Sequence, residues 1–479
     1  MKEREEKTVK DSRVMMRTIT EAQCEAIMGA VYRVLEKTGC EVRSERARAL
    51  LADAGCAVES SIVRIPEALV KKAVSTVPKT VTLYSRKGEK ALELTPDSSL
   101  FGPGISCVET IDVFTGERRK ADRQDAANAA LICDALPNVD WASALCSVSD
   151  GNMALADVYE VYALLCNTTK PFMYWAQNMQ NLKTELEMIE AVCGSDSLSK
   201  KPHGLCLTCP MDPLIENEDA LEQIMYLAEK NIPQLHVAGI SFGGNGPIYL
   251  AGSIVVGMAD TLTGLVVSQL VRSGAPFIVG KYNDNLNMGT VTIERHNPEE
   301  ILAQAATGDV FRYLGLICSA NMGGDTTNGE VDLCASFDVG IQQYTALLSG
   351  TNLNIGMGGY ENCTVGYLPG VVFADESVGF LKCISNGIEI SEETLAEELI
   401  DELGHGGYYL THDSTLENFR DMWRPKLFKG CARGAGTGEQ PYVERAREII
   451  SSGPKHPLEP GLKAALDEII AKAEEGYQE

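Results

Sequence analysis

The sequence is short of basic side chains, of aromatic side chains and of long hydrophobic runs, and each shortage narrows what the protein can do. Lys and Arg number 42 against 67 Asp and Glu, which gives a net charge of −25 over 479 residues. A surface so rich in negative charge repels phosphate backbones and anionic lipids, so we expect neither nucleic acid nor a membrane surface as a partner. The uncharged stretch from Ile232 to Ala259 is broken by a cluster of glycines and by Pro247, so we expect no membrane-spanning helix.

Signals for secretion, disulfides, metal ligation and covalent catalysis are also missing. The N-terminal residues MKEREEKTVK lack the apolar stretch of a secretory signal, which favours a cytoplasmic protein. The 15 cysteines are scattered singly along the chain, so we expect free thiols, with a structural role for Cys206 and Cys209. The 6 histidines lack metal-ligand spacing, and there is no P-loop, dinucleotide glycine motif or G-x-S-x-G elbow. We therefore predict no resident metal and no covalent nucleophile.

Eight short apolar segments alternate with amphipathic helical stretches through the middle of the chain. Their spacing of roughly 30–40 residues is the size of one strand–helix unit. Eight units favour a (β/α)₈ barrel of the α/β class, and an open doubly wound sheet is the alternative. The segments lie near 99–110, 139–149, 171–178, 204–212, 234–243, 276–284, 316–324 and 352–361. We predict a mainly helical N-terminal extension (1–95), the barrel (96–385) and a helical C-terminal extension (386–479), with both extensions packed on the barrel.

Functional side chains of a barrel gather at the carboxyl ends of its strands. Several aromatic rings fall there, although aromatic residues are only 6% of the chain. Rings around a small space attract a cation, best of all a quaternary ammonium ion, unless each ring instead packs against a neighbouring helix. The candidates for such a cage are Tyr174, Trp175, Phe242, Tyr282 and Tyr360. The candidate counter-charges are Asp325 and Glu361, and the candidate polar anchors are His236, Lys281 and Asn321.

Several blocks of sequence, in one order along nearly the whole chain, resemble the trimethylamine methyltransferase superfamily. The longest is GGDTTNGEVDLCASFDVGIQQYTALLSGTNLNIGMGGYENC at 323–363. The others are VRIPEALVKKAV at 63–74, DVFTGERRKADRQD at 112–125, LPNVD at 136–140 and HDSTLENFRDMWRPKLF at 412–428. The family pattern places the pyrrolysine of the trimethylamine enzymes near 318–324, where this chain has only standard residues. The chain therefore resembles the branch without pyrrolysine, whose members demethylate quaternary amines such as glycine betaine.

This resemblance implies a barrel enzyme that moves a methyl group from a quaternary amine to the Co(I) of a corrinoid carried on a separate protein. Loss of a methyl group from a quaternary nitrogen leaves a neutral tertiary amine, so no general acid and no catalytic side chain is expected. The chain lacks the D-x-H-x-x-G signature that ligates a corrinoid, so the cofactor would arrive on its partner. A homo-oligomer is expected. Two other functions stay open: a non-catalytic betaine-binding protein, and a barrel lyase or aldolase that uses Lys281 as a Schiff base.

Overall fold

The computed structural model describes residues 14–295, 297–329, 332–427 and 438–477. The N-terminal elements are α1 (Glu21–Lys37), β1 (Cys40–Val42), α2 (Glu45–Asp53), β2 (Ala57–Glu59), β3 (Ile62–Arg64), α3 (Glu67–Thr76), β4 (Val81–Tyr84) and β5 (Lys90–Leu94). The next are β6 (Leu100–Pro103), β7 (Glu109–Ile111), β8 (Arg118–Lys120), α4 (Arg123–Ala135), α5 (Ala156–Asn167), β9 (Phe172–Trp175), α6 (Met179–Cys193), β10 (Gly204–Thr208), β11 (Ile215–Glu216), α7 (Glu218–Lys230), β12 (Gln234–Phe242) and α8 (Leu250–Val271).

The remaining elements complete the alternation and the C-terminal part. They are β13 (Phe277–Asn287), β14 (Thr292–Glu294), α9 (Pro298–Tyr313), β15 (Cys318–Ser319), β16 (Asn321–Met322), α10 (Leu333–Ser349), β17 (Leu353–Met357), β18 (Gly359–Tyr360), β19 (Val365–Gly366) and α11 (Leu368–Ser385). After these come α12 (Glu392–Leu395), α13 (Glu397–Leu403), α14 (Asp413–Asn418), α15 (Gln440–Ser452) and α16 (Pro460–Gly476). Helices follow strands from β9 to α11, which confirms the predicted α/β class.

The parallel strands that alternate with helices, together with β6, pair as two sheets. In one, β9, β10, β12, β13 and β15 lie side by side in that order, and in the other β16, β17 and β6 do so. Every neighbouring pair among these strands is parallel. Strands occupy seven of the eight predicted apolar segments, and the eighth, 139–149, pairs through single backbone contacts such as Ala142 N to Pro171 O at 2.9 Å. Because the paired strands form two sheets, closure into a barrel stays a prediction.

One face of these strands is apolar and holds a core of its own. The cluster takes a side chain from every predicted strand segment and closes at one end on the β4–β5 hairpin through Val81, Leu83, Leu92 and Leu94. The strand-segment members include Leu100, Trp141, Met173, Leu205, Leu235, Ile278, Ile317 and Leu353. Alternate residues of a strand point to opposite faces, so the neighbours of these residues point towards the helices.

The N-terminal helices pack on α8. Helix α1 begins at a capping box in which Thr20 accepts a hydrogen bond from the Gln23 backbone, which satisfies donors that the helix itself cannot. It buries Cys24, Met28, Val31 and Leu35 in a core shared with α8. Helix α8 is long and apolar enough to cross a membrane by length and composition alone, but 78% of its most apolar window is buried inside the protein. We therefore describe it as a core helix.

The last two helices pack on the helical layer. Helix α15 contacts α11 and α4, and α16 contacts α6 and α5. Tyr159 and Tyr162 of α5 donate hydrogen bonds of 2.6 Å to Glu474 and Asp467 of α16. These contacts hold the end of the chain against the strand–helix units. The boundaries of the three predicted parts stay a prediction.

Candidate functional site

Side-chain exposure alternates at the carboxyl ends of four adjacent parallel strands. Six partly exposed residues alternate there with buried neighbours, before β13 continues through the partly exposed residues 285–287. These six, which we call the mouth, are Trp175, Leu207, Gly239, Ser241, Tyr282 and Asp284. They lie on the face that carries the apolar cluster, and a cavity of about 500 Å³ opens beside Trp175, Leu207 and Cys209. A Cβ on Gly239 would meet only Asp212, at 4.0 Å, so the glycine leaves space at the mouth.

Trp175 is fixed by a buried carboxyl group. Its indole Nε1 donates to Glu160 Oε2 at 3.1 Å, and Glu160 Oε1 accepts from the Val148 backbone at 3.4 Å. Glu160 lies on α5 and is 5% exposed. Burial raises the pKa of Glu160 to about 8, because a charged carboxylate is costly away from water. Glu160 therefore orients the ring of Trp175 while staying largely protonated at neutral pH.

Tyr282 is held in the same way by a chain of hydroxyl groups. Ser319 Oγ donates to the Leu353 carbonyl at 2.8 Å, so it accepts the hydrogen of the Tyr282 hydroxyl, 2.6 Å away. Burial raises the pKa of Tyr282, which keeps the phenol protonated and able to donate. The partly exposed ring of Tyr282 is thus anchored at its hydroxyl end.

A buried ion cluster lies beside Tyr282. Arg295 Nε donates to Asp325 at 2.8 Å, and Arg295 Nη1 donates to Asp284 at 2.5 Å and to Glu300 at 2.9 Å. Burial raises the pKa of Asp325 and brings that of Glu300 to about 8. Three carboxyl groups thus share one guanidinium group in this cluster. Asp325 Oδ1 has no hydrogen-bond partner among the described residues.

Comparison with known proteins decides the family. The profile of the trimethylamine methyltransferase family (MTTB) matches residues 1–477. The chain belongs to the trimethylamine methyltransferase family. The resemblance inferred from the sequence blocks is confirmed.

Relatives within this family differ in the amine that their names specify. A trimethylamine methyltransferase of Desulfitobacterium hafniense is 29% identical over 465 residues, covering 94% of this chain and 93% of that protein. A glycine betaine methyltransferase of the same species is 25% identical over 470 residues, covering 95% and 96%. The crystal structure of a monomethylamine methyltransferase from Methanosarcina barkeri has a TM-score of 0.50 at 14% identity, covering 90% of this chain and 86% of that one. The last comparison supports the fold alone.

Two predicted aromatic residues of this family member lie outside the mouth. Tyr174 is 3% exposed and belongs to the core between the strands and the helices. Its ring lies against β10, where a Cβ on Gly204 would be 2.7 Å from Tyr174 Cε1. Phe242 is 2% exposed, and its position along β12 places it on the same face as Ile240. Both assignments to a cage are corrected, because each residue is an odd number of positions from a mouth residue on its strand.

The predicted anchors His236 and Lys281 are also on the helix-facing side. His236 is fully buried, with Thr208 Oγ1 2.9 Å from Nδ1 and Glu216 Oε1 3.2 Å from Nε2. Lys281 is fully buried against α8 and donates to the Asn283 side chain and to the Tyr282 carbonyl. Burial lowers the pKa of Lys281 to about 7. Neither side chain reaches the mouth, so the structure does not bring these two predicted anchors together with Trp175 and Tyr282.

The remaining predicted residues divide. Tyr360 is 2% exposed and packs edge-to-face on Tyr367, 5.4 Å between ring centres, so it is a core residue. Glu361 forms a two-point ion pair with Arg118, at 2.8 and 3.0 Å, on β8. Arg118 also pairs with Glu109, at 2.6 Å, so Glu361 belongs to an ion-pair cluster at the β7–β8 hairpin. The side chain of Asn321 lies outside the described residues.

The structure adds residues that the sequence reading missed. Asp284 follows Tyr282 by two positions, a signal that strand alternation supplies. Glu160 contacts Trp175 and Arg295 contacts Asp284 from outside the parallel strands. No local sequence pattern predicts either contact. Ser319 completes the Tyr282 hydrogen-bond chain from the neighbouring strand β15. Among the described residues, no group of three or more His, Cys, Asp or Glu side chains is arranged to hold a metal ion.

Proposed function

We propose that this protein transfers a methyl group from a quaternary amine of the glycine betaine type to a Co(I) corrinoid carried by a partner protein. One observation carries the proposal: an aromatic mouth beside a buried cluster in which three carboxyl groups share one guanidinium group, in a chain whose family acts on methylated amines. Trp175 and Tyr282 supply the rings, and Asp284 and Asp325 supply two of the carboxyl groups. The proposal takes the substrate to be a permanent cation.

The mouth suits a quaternary ammonium ion because such an ion has no N–H group to donate. An aromatic face attracts it with about 0.5–2 kcal/mol when water is excluded. Both rings are anchored at their polar ends, Trp175 by Glu160 and Tyr282 by Ser319, so little side-chain entropy is lost on binding. The carboxyl groups around Arg295 outnumber its single guanidinium group, which favours a cation over an anion at this end of the strands.

The proposed reaction requires the amine to be positioned, and it requires no proton transfer from a side chain. The acceptor, Co(I) on the partner's corrinoid, supplies the nucleophile. The nitrogen keeps the electron pair of the broken C–N bond and leaves as a neutral tertiary amine, so no side chain has to donate a proton. The residues of this chain bind the amine and aim one methyl group outward, and such orientation can supply up to about 7–11 kcal/mol of the barrier. The standard residues at 318–324 fit this chemistry, because a quaternary nitrogen needs no electrophile to activate it.

We also infer that the parallel strands close into a (β/α)₈ barrel. Three backbone hydrogen bonds support closure between neighbours that strand pairing leaves apart: Asp140 N to Phe101 O at 2.7 Å, Met173 N to Ala142 O at 2.9 Å and Asn352 N to Cys318 O at 3.1 Å. The apolar cluster that contains one side chain from each strand segment supports it as well, because a closed barrel is filled by alternate residues of all its strands. The mouth would then be the barrel's carboxyl-end opening. A cytoplasmic location stays a prediction.

A methyl-transfer assay tests the proposed function. Purified protein is mixed under anaerobic conditions with a reduced Co(I) corrinoid and with glycine betaine, proline betaine, carnitine, γ-butyrobetaine, choline or trimethylamine, and loss of the Co(I) absorption is followed. We expect one quaternary amine to react and trimethylamine to be inert. The proposal fails if trimethylamine is the substrate, or if every amine is inert while methyl iodide still methylates the corrinoid.

Binding of the reactive amine tests the mouth directly. Trp175→Ala removes the indole face, so we expect the dissociation constant measured by calorimetry to rise by roughly 2–30-fold. The matched control is Tyr174→Phe, because Tyr174 is the next residue on β9 and faces the helices. Equal affinities for wild type and Trp175→Ala would remove Trp175 from the site.

A further inference from the structure

Two adjacent helices expose apolar stripes to solvent. On α10, Leu333 is 90% exposed, Phe337 69% and Tyr344 36%. On α11, Phe380 is 48% exposed and Ile384 38%. Residues four and seven positions apart share one face of a helix, so each set forms a stripe. A cavity of about 680 Å³ lies between the two helices and is lined mainly by apolar atoms of Phe373, Phe380 and Trp423.

The segment that follows α11 exposes apolar side chains and buries none of its residues. No residue from 386 to 427, which we call the arm, is buried. The arm contains α12, α13 and α14, of 4, 7 and 6 residues. Exposed apolar side chains occur along its length, including Leu395 (51%), Ile400 (54%), Leu410 (63%) and Met422 (71%). Helices this short are unstable in water unless an apolar face packs against something.

The arm and the helical groove form one surface. The arm leaves α11 at its C-terminal end and returns to the same helix, where Glu376 accepts hydrogen bonds from the backbone of Lys426 and Leu427 at 2.5 and 2.7 Å. Near this return point the ring of Trp423 packs edge-to-face on Phe380, 5.2 Å between centres. The exposed stripes and the arm are therefore contiguous.

The size of this surface matches a protein interface. A large apolar or aromatic side chain offers on the order of 150–200 Å², so a dozen such residues, each about half exposed, present on the order of 1,000 Å². The largest apolar patch on a typical monomer is about 300–600 Å². Each partner in a standard interface buries about 800 Å². The area is thus what a stable dimer requires.

We propose that the arm and the α10–α11 groove form a homodimer interface, in which the arm of each copy covers the exposed stripes of the other. A second copy fits because the arm needs cover throughout the life of the folded protein, and a permanent interface between identical chains supplies it, whereas a transient partner leaves the arm exposed between encounters. A membrane does not fit, because residues 389–402 contain seven Asp and Glu and no Lys or Arg, and such a segment is repelled by anionic lipid. The inference does not depend on the proposed methyl transfer.

Sedimentation velocity of the full-length protein tests the proposal. We expect wild type to sediment as a dimer, or as a larger assembly built from it, at micromolar concentration. Phe337→Glu places a carboxylate in the interface twice, and we expect its dissociation constant to rise by roughly 100-fold or more. Leu333→Glu is the second variant, since a side chain 90% exposed contributes little to folding of the monomer. The control is Phe114→Glu, the same change at a residue 51% exposed on the β7–β8 turn, which should leave the assembly intact.

Amide hydrogen exchange shows whether the arm is the part that is covered. We expect amides of residues 386–427 to exchange slowly in wild type and in Phe114→Glu, and much faster in whichever of the two α10 variants dissociates. The proposal is overturned if wild type is a monomer at micromolar concentration. It is also overturned if both α10 variants keep the wild-type assembly, or if the arm exchanges equally fast in assembled and dissociated protein.

Discussion

Glu160→Gln should change the pH dependence of stability in a way that the structure specifies. The Glu160 carboxyl group is buried, and burial raises its pKa from 4.5 to about 8. The folded protein therefore holds this proton more tightly than the unfolded chain does. The resulting contribution to stability is fully present below about pH 4.5 and is lost as the pH rises towards 8. Gln carries no charge at any pH and still offers an oxygen to Trp175 Nε1.

The size of the effect follows from the two pKa values. The interval between 4.5 and about 8 corresponds to roughly 5 kcal/mol, at about 1.4 kcal/mol per pH unit. This is an upper limit, because relaxation and water penetration lower the cost of a buried charge. With an unfolding entropy of about 2.1 cal/mol/K per residue, 5 kcal/mol in a chain of 479 residues shifts the melting temperature by about 5 °C. We expect Glu160→Gln to be more stable than wild type at pH 9, by up to that amount, and to lose the advantage at pH 5.

Differential scanning calorimetry between pH 5 and pH 9 measures this difference. The control is Glu187→Gln, which removes the same charge from an exposed position on the neighbouring helix α6, and its melting temperatures should run parallel to those of wild type. Parallel curves for Glu160→Gln as well would refute the reasoning, because they would mean that the buried carboxyl group titrates alike in the folded and unfolded states.

Two further substitutions test the ion cluster and the strand core. Arg295→Met leaves the carboxyl groups of Asp284 and Asp325 without their cation, so we expect the free energy of unfolding to fall by about 3–5 kcal/mol. At pH 8 this corresponds to a melting temperature lower by roughly 3–5 °C. An unchanged melting temperature would mean that these carboxyl groups do not depend on the guanidinium group. Gly102→Val would overlap the ring of Trp141, so we expect a clear fall in melting temperature and loss of near-ultraviolet dichroism from the buried indole, whereas retention of both would contradict the packing of the apolar cluster.

Much of the fold was predictable because its signals are local. Asp122 begins α4 by accepting hydrogen bonds from the backbone of Gln124 and Asp125, and Pro298 occupies the first turn of α9. The apolar segments mark the parallel strands, since strands buried on both faces read as nearly continuous apolar runs. The sequence predicts helices in the arm because its apolar residues have helical spacing. It does not predict that the arm lies exposed, because burial is a property of the folded chain.

The site was harder to predict than the strands, because the continuous apolar runs that reveal the strands do not distinguish their two faces. In a parallel sheet both faces are buried, so hydrophobicity does not say which face of a strand meets the mouth. The cage candidates included the adjacent pair Tyr174 and Trp175, and Lys281 was offered as an anchor beside Tyr282. Neighbours on a strand point to opposite faces, so no more than one member of each pair can line the mouth.

The sequence nevertheless contains a clue to the choice of face. On the face of β12 that carries the apolar cluster, the large side chains of Leu235 and Val237 are followed by Gly239 and Ser241. The side chains on this face therefore become small and polar as the strand reaches its carboxyl end. The helix-facing positions, by contrast, end with the large side chains of Ile240 and Phe242. A filled core needs bulk on both faces, whereas an opening needs space and polarity on one. This decrease in side-chain size on alternate residues indicates which face of the strand lies at the mouth. On β13, Asp284 and Tyr282 are two positions apart and therefore share that face, whereas Lys281 does not.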